Sequence, residues 1–486
     1  MTRRHDLDSL RIGAFGLLIL YHVAMAYVAG WDFHLKSVHT AEWLQWPMIA
    51  LNRWRMPLLF AISGIALGLC LPAQGRWRFA LRRGGRLLLP LLFGIVAVVS
   101  LQAYCEAVDK GDVTPGLGAF LWRYWQFRPW PGASFTGAAY GFTWNHLWYL
   151  AYLIPYTLLA IVLASLVRPL RHRLPGLPAG DRWVATLGLL LPVLWLAWAL
   201  LVILPAHPPS HALVDDLYVH AESLPLFLGG FLAARWQRGW NLLVRGRRLT
   251  LMLAVVGLTV ELGIRALARM PDVGDLPQWV LSLPWAQAER VGRALYTWCS
   301  LLALFGWAQV LLARPWRGLG YCREAVFSWY ILHQTVLIML LYWLRPLQLG
   351  AWLEPALVIV GTVAGCLLIH ELLVRRVRWL RPLFGLRADR NGAVSITQDH
   401  SAGRRAWPGA TAPRTRRPAP SRHDPSAASS PSGPSASACP NGWSGAASAS
   451  SHRSPAAGGC RSSSPPPCTC PAWRCAARTV PGHSHR

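Results

Sequence analysis

His22 is an ionisable residue inside an apolar segment that runs from Ile12 to Gly30. About 20 such residues, at 1.5 Å each, cross the ~30 Å hydrocarbon core of a bilayer. A polar side chain near the middle of such a segment costs several kcal/mol unless it has a partner, so it is a functional candidate. A neutral imidazole can take the proton of a hydroxyl that attacks a carbonyl, and this chemistry makes His22 a candidate general base. The alternative is a histidine that only hydrogen-bonds a neighbouring helix.

Two charged residues lie at the start of the same segment. Arg11 precedes His22 by eleven residues, about three helical turns, so both side chains can lie on one helix face about 16 Å apart. With Asp8 they predict a polar line from the membrane surface towards its middle, in which Asp8 and Arg11 are catalytic partners of His22. The alternative is that Asp8 caps the helix and Arg11 anchors it at the cytoplasmic surface.

Three further arginines suggest anion binding. Arg83 and Arg86 are three residues apart, so a helix would place both guanidinium groups on one face, where they can bind phosphate oxygens of a donor. A charge cluster that only orients the helix is the alternative. Arg55 precedes the second apolar segment at the end predicted to face outside, which breaks the positive-inside preference and indicates a partner or ligand, with snorkelling as the alternative.

Other polar and aromatic residues occur in or beside later apolar segments. A helix facing lipid would not tolerate the ionisable ones, so we expect the group to face a polar interior or a substrate. These residues are Ser63, His146, Trp148, His333 and Glu371.

The composition indicates a membrane protein. Of the 486 residues, 53% are hydrophobic and only 14% are charged, where soluble domains carry about a quarter charged residues. The mean hydropathy is +0.31. The net charge of +27 is typical of nucleic-acid binding, but the arginines lie in short loops between apolar segments and no nucleic-acid-binding motif occurs, so we expect no nucleic-acid partner.

The apolar segments predict an all-α, polytopic membrane protein of about ten transmembrane helices, because single spans must satisfy their backbone hydrogen bonds internally. The segments lie at about 12–30, 56–72, 87–105, 147–167, 183–205, 217–234, 249–268, 293–313, 325–344 and 353–374. Arginine-rich and arginine-poor loops alternate, which places both termini in the cytoplasm of a multi-pass protein in a bacterial inner membrane.

The longest loop, about 106–146, is then expected outside. It contains ten aromatic residues between Phe120 and Trp144, which fit either a belt at the membrane interface or part of a carbohydrate acceptor site. From 386 to 486 the chain turns to Pro, Ser, Ala and Arg, and we expect a disordered tail after a membrane domain of residues 1–385. Cys468 and Cys470 in the tail lack a second Cys or His pair at zinc spacing, so no metal site is expected.

The motifs of several other enzyme classes do not occur. The sequence has no phosphate-binding P-loop, no HExxH and no GxSxG, so ATP-driven transport and serine hydrolysis lose support.

These segments resemble the acyltransferase-3 family of bacterial integral-membrane O-acyltransferases over about residues 1–385. The resemblance rests on Leu7-Asp8-Ser9-Leu10-Arg11 with His22, Arg55-Met56-Pro57-Leu58-Leu59-Phe60-Ala61-Ile62-Ser63-Gly64, Arg83-Gly84-Gly85-Arg86 before Pro90, His146-Leu147-Trp148-Tyr149 and Tyr330-Ile331-Leu332-His333. Trp31-Asp32-Phe33-His34 and Glu371 with its trailing arginines are similar to the glucan biosynthesis protein C group within that family.

The resemblance implies transfer of an acetyl or succinyl group from a cytoplasmic acyl-CoA, a co-substrate rather than a bound cofactor, to a hydroxyl of a periplasmic or surface carbohydrate. For the glucan group it implies succinyl addition to periplasmic glucans. It marks His22 as the base, with Arg11 and the Arg83/Arg86 pair as essential partners. An acyl-enzyme route through Ser63 stays open. The rival interpretations are a transporter or flippase of an anionic acyl or sugar-linked substrate, and a membrane scaffold without chemistry.

Overall fold

A computed structural model describes residues 3–167, 180–270 and 277–387, all within one compact unit. These residues form helices, turns and one isolated bridge between Val28 and Ala41, which confirms the all-α prediction. Nearly all of the predicted tail, with Cys468 and Cys470, lies outside the described residues, as do the basic residues 168–179. The predicted domain boundary therefore stays a prediction.

The described residues contain fifteen α-helices, several of them joined end to end by π-helical segments. The α-helices are α1 (His5–Tyr27), α2 (Gln45–Cys70), α3 (Arg76–Phe93), α4 (Ser100–Asp109), α5 (Leu117–Tyr124), α6 (Trp148–Val167), α7 (Asp181–Trp198), α8 (Leu204–Ala206), α9 (Leu217–Ala233), α10 (Gln237–Leu267), α11 (Gln278–Leu281), α12 (Trp285–Leu311), α13 (Leu319–Leu344), α14 (Gly350–Leu368) and α15 (Leu380–Leu383). The π-helical segments are Gly94–Val99 between α3 and α4, Ala199–Ile203 between α7 and α8, and Ile369–Val374 after α14. Single 3-10 turns occur at Glu42–Leu44, Ala138–Tyr140, Asn145–Leu147 and Arg345–Leu347.

Nine helical stretches of the described chain are long and apolar enough to cross a membrane, so the protein is a multi-pass membrane protein. They are His5–Tyr27, Glu42–Cys70, Arg76–Asp109, Asn145–Val167, Asp181–Ala206, Gln237–Leu267, Trp285–Leu311, Leu319–Leu347 and Gly350–Val374. The remaining predicted span, α9, is an apolar helix of only 17 residues.

The short helix α9 packs closely against its neighbour α2. Gly64, Gly68 and Gly230 let the two backbones approach so closely that a Cβ at any of them would collide with the other helix. Small residues at such contacts are typical of helix pairs in membranes. At the end of this pair, Arg235 Nη2 donates hydrogen bonds to the carbonyl oxygens of Leu69 and Leu71, at 3.2 and 3.4 Å.

Several helices begin earlier than the sequence predicts, α2 and α3 among them. The second segment was expected to start near residue 56 and the third near 87, but α2 starts at Gln45 and α3 at Arg76. Arg53 therefore lies inside α2, where it forms a 2.6 Å ion pair with Glu261 of α10. Because Glu261 neutralises the charge of Arg53, the helix continues through this residue instead of starting after it.

The site is built on α1 and α13, which pack against each other in the bundle. We call the end at which α1 begins the arginine end, and the end at which α1 stops the loop end. An ion pair joins Asp8, near the start of α1, to Arg323, near the start of α13, so both helices begin at the arginine end. A second ion pair joins Arg375 to Glu324 of α13, so the helical segment that follows α14 ends there too. His22 is five residues from the last residue of α1, about 8 Å along the axis, and so lies nearer the loop end than the middle.

Candidate active site

The centre of the site is a direct contact between two histidines on different helices. His22 Nδ1 of α1 lies 2.8 Å from His333 Nε2 of α13, and the two rings stack with their centroids 5.0 Å apart. His333 is fully buried. The two residues are 311 positions apart in the sequence, so only the packing of α1 against α13 brings them together.

The backbone of α13 fixes where the protons lie. His333 Nδ1 is 2.8 Å from the carbonyl oxygen of Tyr330 and 3.1 Å from that of Trp329, and carbonyl oxygens only accept hydrogen bonds. We therefore assign the proton of neutral His333 to Nδ1, which leaves its Nε2 as an acceptor. His22 must then donate from Nδ1, and its own Nε2 carries a free lone pair. This is the tautomer that a general base requires.

His146 lies against the same pair, but both of its ring nitrogens are used by the protein. Its Nε2 donates to the carbonyl oxygen of Ile331 at 3.1 Å, and its Nδ1 accepts from Gln102 Nε2 at 3.4 Å. Gln102 is itself fully buried and donates to Thr335 Oγ1 at 2.6 Å. His146 is therefore suited to orient neighbouring groups rather than to exchange a proton.

His22 lines a cavity of about 470 Å³ at the loop end. This volume is within the usual range of small-molecule sites. Its walls come from α1, from the end of the 106–146 loop and the start of α6, and from residues 210–212. Aromatic faces alternate with polar groups, including Tyr21, Phe142, Trp144, Trp148, Asn145 and Gln334. Such a lining can stack on sugar rings and hydrogen-bond hydroxyls.

The aromatic side chains of the 106–146 loop lie in three different environments. Phe120, Tyr124, Trp130 and Phe135 pack into a small core of their own, and burial raises the pKa of Tyr124 to about 12. Other rings are exposed, such as Trp122, while Phe142 and Trp144 line the cavity. The loop thus takes part in the cavity as well as presenting exposed rings.

Residues 207–216 cover the cavity beside Trp148. The ring of His211 lies over that of Trp148 with centroids 4.5 Å apart, and Trp144 Nε1 donates to the carbonyl oxygen of His211 at 2.9 Å. Burial lowers the pKa of His211, so the ring is held neutral against its neighbour.

Arg55 is a buried cation next to the histidine pair. It is only 4% exposed, and its guanidinium lies 3.7 Å from the centre of the Tyr21 ring, a cation–π contact. Its Nε and Nη1 atoms are buried and have no hydrogen-bond partner in the described part of the chain. Its charge acts on both His22 and His333. A buried charge without a counterion costs several kcal/mol, which makes this group suited to an anionic ligand or to developing negative charge.

The arginine end holds a second group of unpaired cations. Arg11 and Arg83 form no ion pair within the described residues, and the Nε of Arg83 is buried without a partner. Their charges act on each other and on the Tyr149 hydroxyl, which lies 2.6 Å from Ser63 Oγ and donates to the Leu59 carbonyl at 3.0 Å. Arg86 is exposed, and its charge acts on that of Arg83.

A column of side chains connects the two ends. The Arg11 guanidinium lies 5.8 Å from the Phe15 ring centre, and Phe15 lies 5.4 Å from Tyr330, centroid to centroid. Tyr330 is 6.2 Å from His333 and donates from its hydroxyl to the His146 carbonyl at 2.6 Å. Arg11 and the histidine pair therefore lie at opposite ends of one column of side chains, with an aromatic layer between them.

Two predicted residues lie away from this column. Asp8 pairs with Arg3 at 3.1 Å and with Arg323 at 3.9 Å, and Glu371 accepts hydrogen bonds from Arg375 at 2.9 and 3.0 Å. Both belong to ion pairs at the arginine end.

Sequence reasoning missed several residues of the site. Tyr149 and Tyr330 lie between the histidines and the arginine end, and Gln102 hydrogen-bonds His146, but all three are ordinary residues within apolar segments. The sequence marks His34 only through its resemblance to the glucan group; it lines the cavity from the segment between α1 and α2 and pairs at 2.6 Å with Glu106 of α4. A carboxylate near the end of an apolar segment was the only available signal for Glu106.

Comparison with known proteins identifies one family. The profile of this family, described as an acyltransferase domain, matches residues 4–371, which is more than half of the chain and contains all the site residues named above. No curated protein and no solved structure gives a significant match.

Proposed function

Because the chain belongs to the acyltransferase-3 family, we propose that it is an integral-membrane O-acyltransferase that moves an acyl group from a cytoplasmic acyl-CoA to a hydroxyl of a carbohydrate outside the membrane. One observation carries the proposal: His22 lines the loop-end cavity with no partner on its Nε2 among the described residues, while Arg11 and Arg83, which form no ion pair in that part of the chain, lie at the opposite end of the same helix bundle.

The acceptor is proposed to bind in the cavity. Its aromatic and hydrogen-bonding lining fits a polyhydroxylated molecule better than a simple lipid chain. We place this end on the periplasmic side of a bacterial inner membrane and both termini in the cytoplasm, since the arginine end carries the positively charged loops. Periplasmic glucan is the acceptor that the sequence resemblance favours.

The donor is proposed to bind at the arginine end. Arg83, with Arg86 on the same helix, would hold the phosphates of acetyl-CoA or succinyl-CoA, and Arg11 would hold negative charge near the thioester. The distance from Arg11 to His22 along α1 is about 16 Å, a length suited to the long, flexible pantetheine arm of a coenzyme A thioester. Phe15 and Tyr330 lie between the two ends, so the arm would have to displace or pass beside them.

The proposed chemical step is direct acyl transfer. His22 Nε2 takes the proton from the acceptor hydroxyl while the oxygen attacks the thioester carbonyl carbon; the carbon–sulfur bond then breaks and the thiolate of coenzyme A leaves. His333 accepts the hydrogen bond from His22 Nδ1 and so holds the reactive tautomer. The buried charge of Arg55 would stabilise the oxyanion of the tetrahedral intermediate, an effect of about 3 kcal/mol for one well-placed donor.

The test is mass spectrometry of periplasmic and surface glycans from wild type, a deletion strain, and the deletion strain carrying His22→Ala. An acyl mass that disappears from the last two and returns only with the wild-type chain is the expected result, and the mass identifies the acyl group. Acylation that survives with His22→Ala would remove His22 from the mechanism. Unchanged glycans together with a redistributed small molecule would instead favour a transporter.

A further inference from the structure

A second imidazole of the cavity is held by a buried carboxylate. His34, in the segment between α1 and α2, lines the cavity, and its Nδ1 lies 2.6 Å from Glu106 Oε2. The side chain of Glu106 is 3% exposed and that of His34 is 12% exposed. This pair is distinct from His22 and His333, and the proposed acyl transfer does not use it.

Glu106 is fixed from several sides. Its Oε1 accepts hydrogen bonds from Lys110 Nζ at 2.8 Å and from the backbone N–H of Thr136 at 3.0 Å. Lys110 also donates to the carbonyl oxygen of Ala133 at 2.9 Å, so the carboxylate joins the end of α4 to the loop that forms the cavity wall. A carboxylate with this many donors is ionised and rigidly oriented.

The carboxylate determines the tautomer of His34. An ionised carboxylate only accepts, so the proton of a neutral His34 must lie on Nδ1, and Nε2 is left as an acceptor. Within the described residues, Nε2 has no hydrogen-bond partner, although the side chain lines the cavity. A carboxylate that orients an imidazole in this way is a familiar means of preparing its second nitrogen for a ligand.

The other cavity imidazoles differ in this respect. His146 uses both nitrogens within the protein, and the ring of His211 lies over Trp148. Among the described residues, His22 and His34 therefore each direct an Nε2 acceptor without a protein partner to the same cavity. The Nδ1 of each ring is held by a partner, His333 for His22 and Glu106 for His34.

We propose that His34 binds the acceptor by accepting a hydrogen bond from a second hydroxyl, so that a neighbouring hydroxyl reaches His22. Glu106 is the positioning residue that holds the His34 ring. The inference rests on the proposed acyltransferase function and deepens it: the acceptor must present at least two hydroxyl groups to the cavity, one for each imidazole. An alcohol with a single hydroxyl would form a hydrogen bond with His22 only. His34 Nε2 would then lack a donor, and the loss of that hydrogen bond weakens binding.

The test is steady-state kinetics of the purified full-length protein with two acceptors. The first acceptor is glycan from the deletion strain after removal of its ester groups by mild alkali, and the second is 1-octanol, which has one hydroxyl; acetyl-CoA and succinyl-CoA are the donors. We expect His34→Ala to raise the KM for the glycan about tenfold, with kcat changed less than about threefold and the donor KM unchanged. The preference for glycan over octanol should fall by the same factor.

Three further variants separate this role from a structural one. His34→Gln keeps a hydrogen-bonding group and should recover part of the glycan affinity, and Glu106→Gln should raise the glycan KM less than His34→Ala does. His39→Gln, in the same segment but away from the cavity lining, should behave as wild type.

The outcomes are distinct. A wild-type glycan KM in His34→Ala overturns the acceptor role, and so does a loss of kcat with the glycan KM unchanged. An equal loss with glycan and octanol also overturns it, because a damaged fold would lower both. If the wild-type protein itself transfers no acyl group to the glycan, the proposed function fails first and this inference fails with it.

Discussion

His333 accepts a hydrogen bond from His22 at 2.8 Å and cannot offer its other nitrogen to a ligand, because the Tyr330 carbonyl holds the Nδ1 proton at 2.8 Å. The buried histidine therefore acts on the cavity only through His22. Its neutral ring takes the place that a carboxylate occupies in many base–orienter pairs, which avoids placing an unpaired anion deep in the bundle.

His333→Ala should lower kcat without greatly changing substrate binding. The substitution removes the acceptor that fixes the His22 tautomer, so we expect a loss of about 10-fold to 100-fold, smaller than the loss for His22→Ala, which should reach about 100-fold or more. His333→Asn keeps an acceptor and should retain more activity than His333→Ala. Single-turnover rates with saturating donor measure this order. Equal activity of the wild type, His333→Ala and His333→Asn would contradict the role of His333 in fixing the His22 tautomer.

Arg83→Gln and Arg86→Gln are a matched pair on one helix. Arg83 has a buried, unpartnered Nε and interacts electrostatically with Arg11, whereas Arg86 is exposed. We therefore expect Arg83→Gln to raise the donor KM about tenfold or more and Arg86→Gln to raise it less, since an exposed charge contributes little. Donor KM values at saturating acceptor check the order. A larger effect at Arg86 would mean that the phosphates bind outside the bundle.

The sequence predicts the components of the site better than it predicts their connections. His22, Arg11, Arg83 and Arg55 are detectable because each is a charge or an imidazole within or just before an apolar stretch. The contact of His22 with His333 is not detectable, because it depends on which helices pack together and on two backbone carbonyls of α13.

The helix boundaries show the same limit in the fold. The sequence placed the start of α2 near residue 56 because Asn52, Arg53 and Arg55 interrupt the apolar pattern. In the structure Arg53 is paired with Glu261, 208 residues away, and Arg55 lies on the Tyr21 ring, so the helix continues through both charges. Compensation by a distant partner cannot be read from a local pattern.

The cover of the cavity should loosen in acid. Burial lowers the pKa of His211 below its ordinary value of about 6.5, with the Asp216 charge acting weakly in the opposite direction, so the packed loop favours the neutral ring. The stabilisation is fully present above the ordinary pKa and is lost as the pH falls through the lowered pKa of the folded protein. Hydrogen exchange of residues 207–216, corrected for intrinsic rates, should rise between pH 7 and pH 5. His211→Phe keeps the ring contact but cannot titrate, so its exchange should stay flat; the same acid response in this variant would exclude His211 as the cause.

Arg53 and Arg55 are two residues apart on α2 and should respond oppositely to the same substitution. Arg53→Met would leave Glu261, which is fully buried, with only its longer 3.7 Å ion pair to Arg265, and should destabilise the protein by about 3 kcal/mol. Arg55→Met instead removes a buried cation without a counterion, a change that is often neutral or stabilising by ~1–4 kcal/mol, offset in part by the lost cation–π contact with Tyr21. Its Tm should therefore be unchanged or higher, while kcat falls about 100-fold because the oxyanion loses its nearest positive charge. Thermal unfolding in detergent and single-turnover acyl transfer measure the two quantities on the same samples. A lower Tm with full activity for Arg55→Met would show that Arg55 serves the fold rather than the reaction.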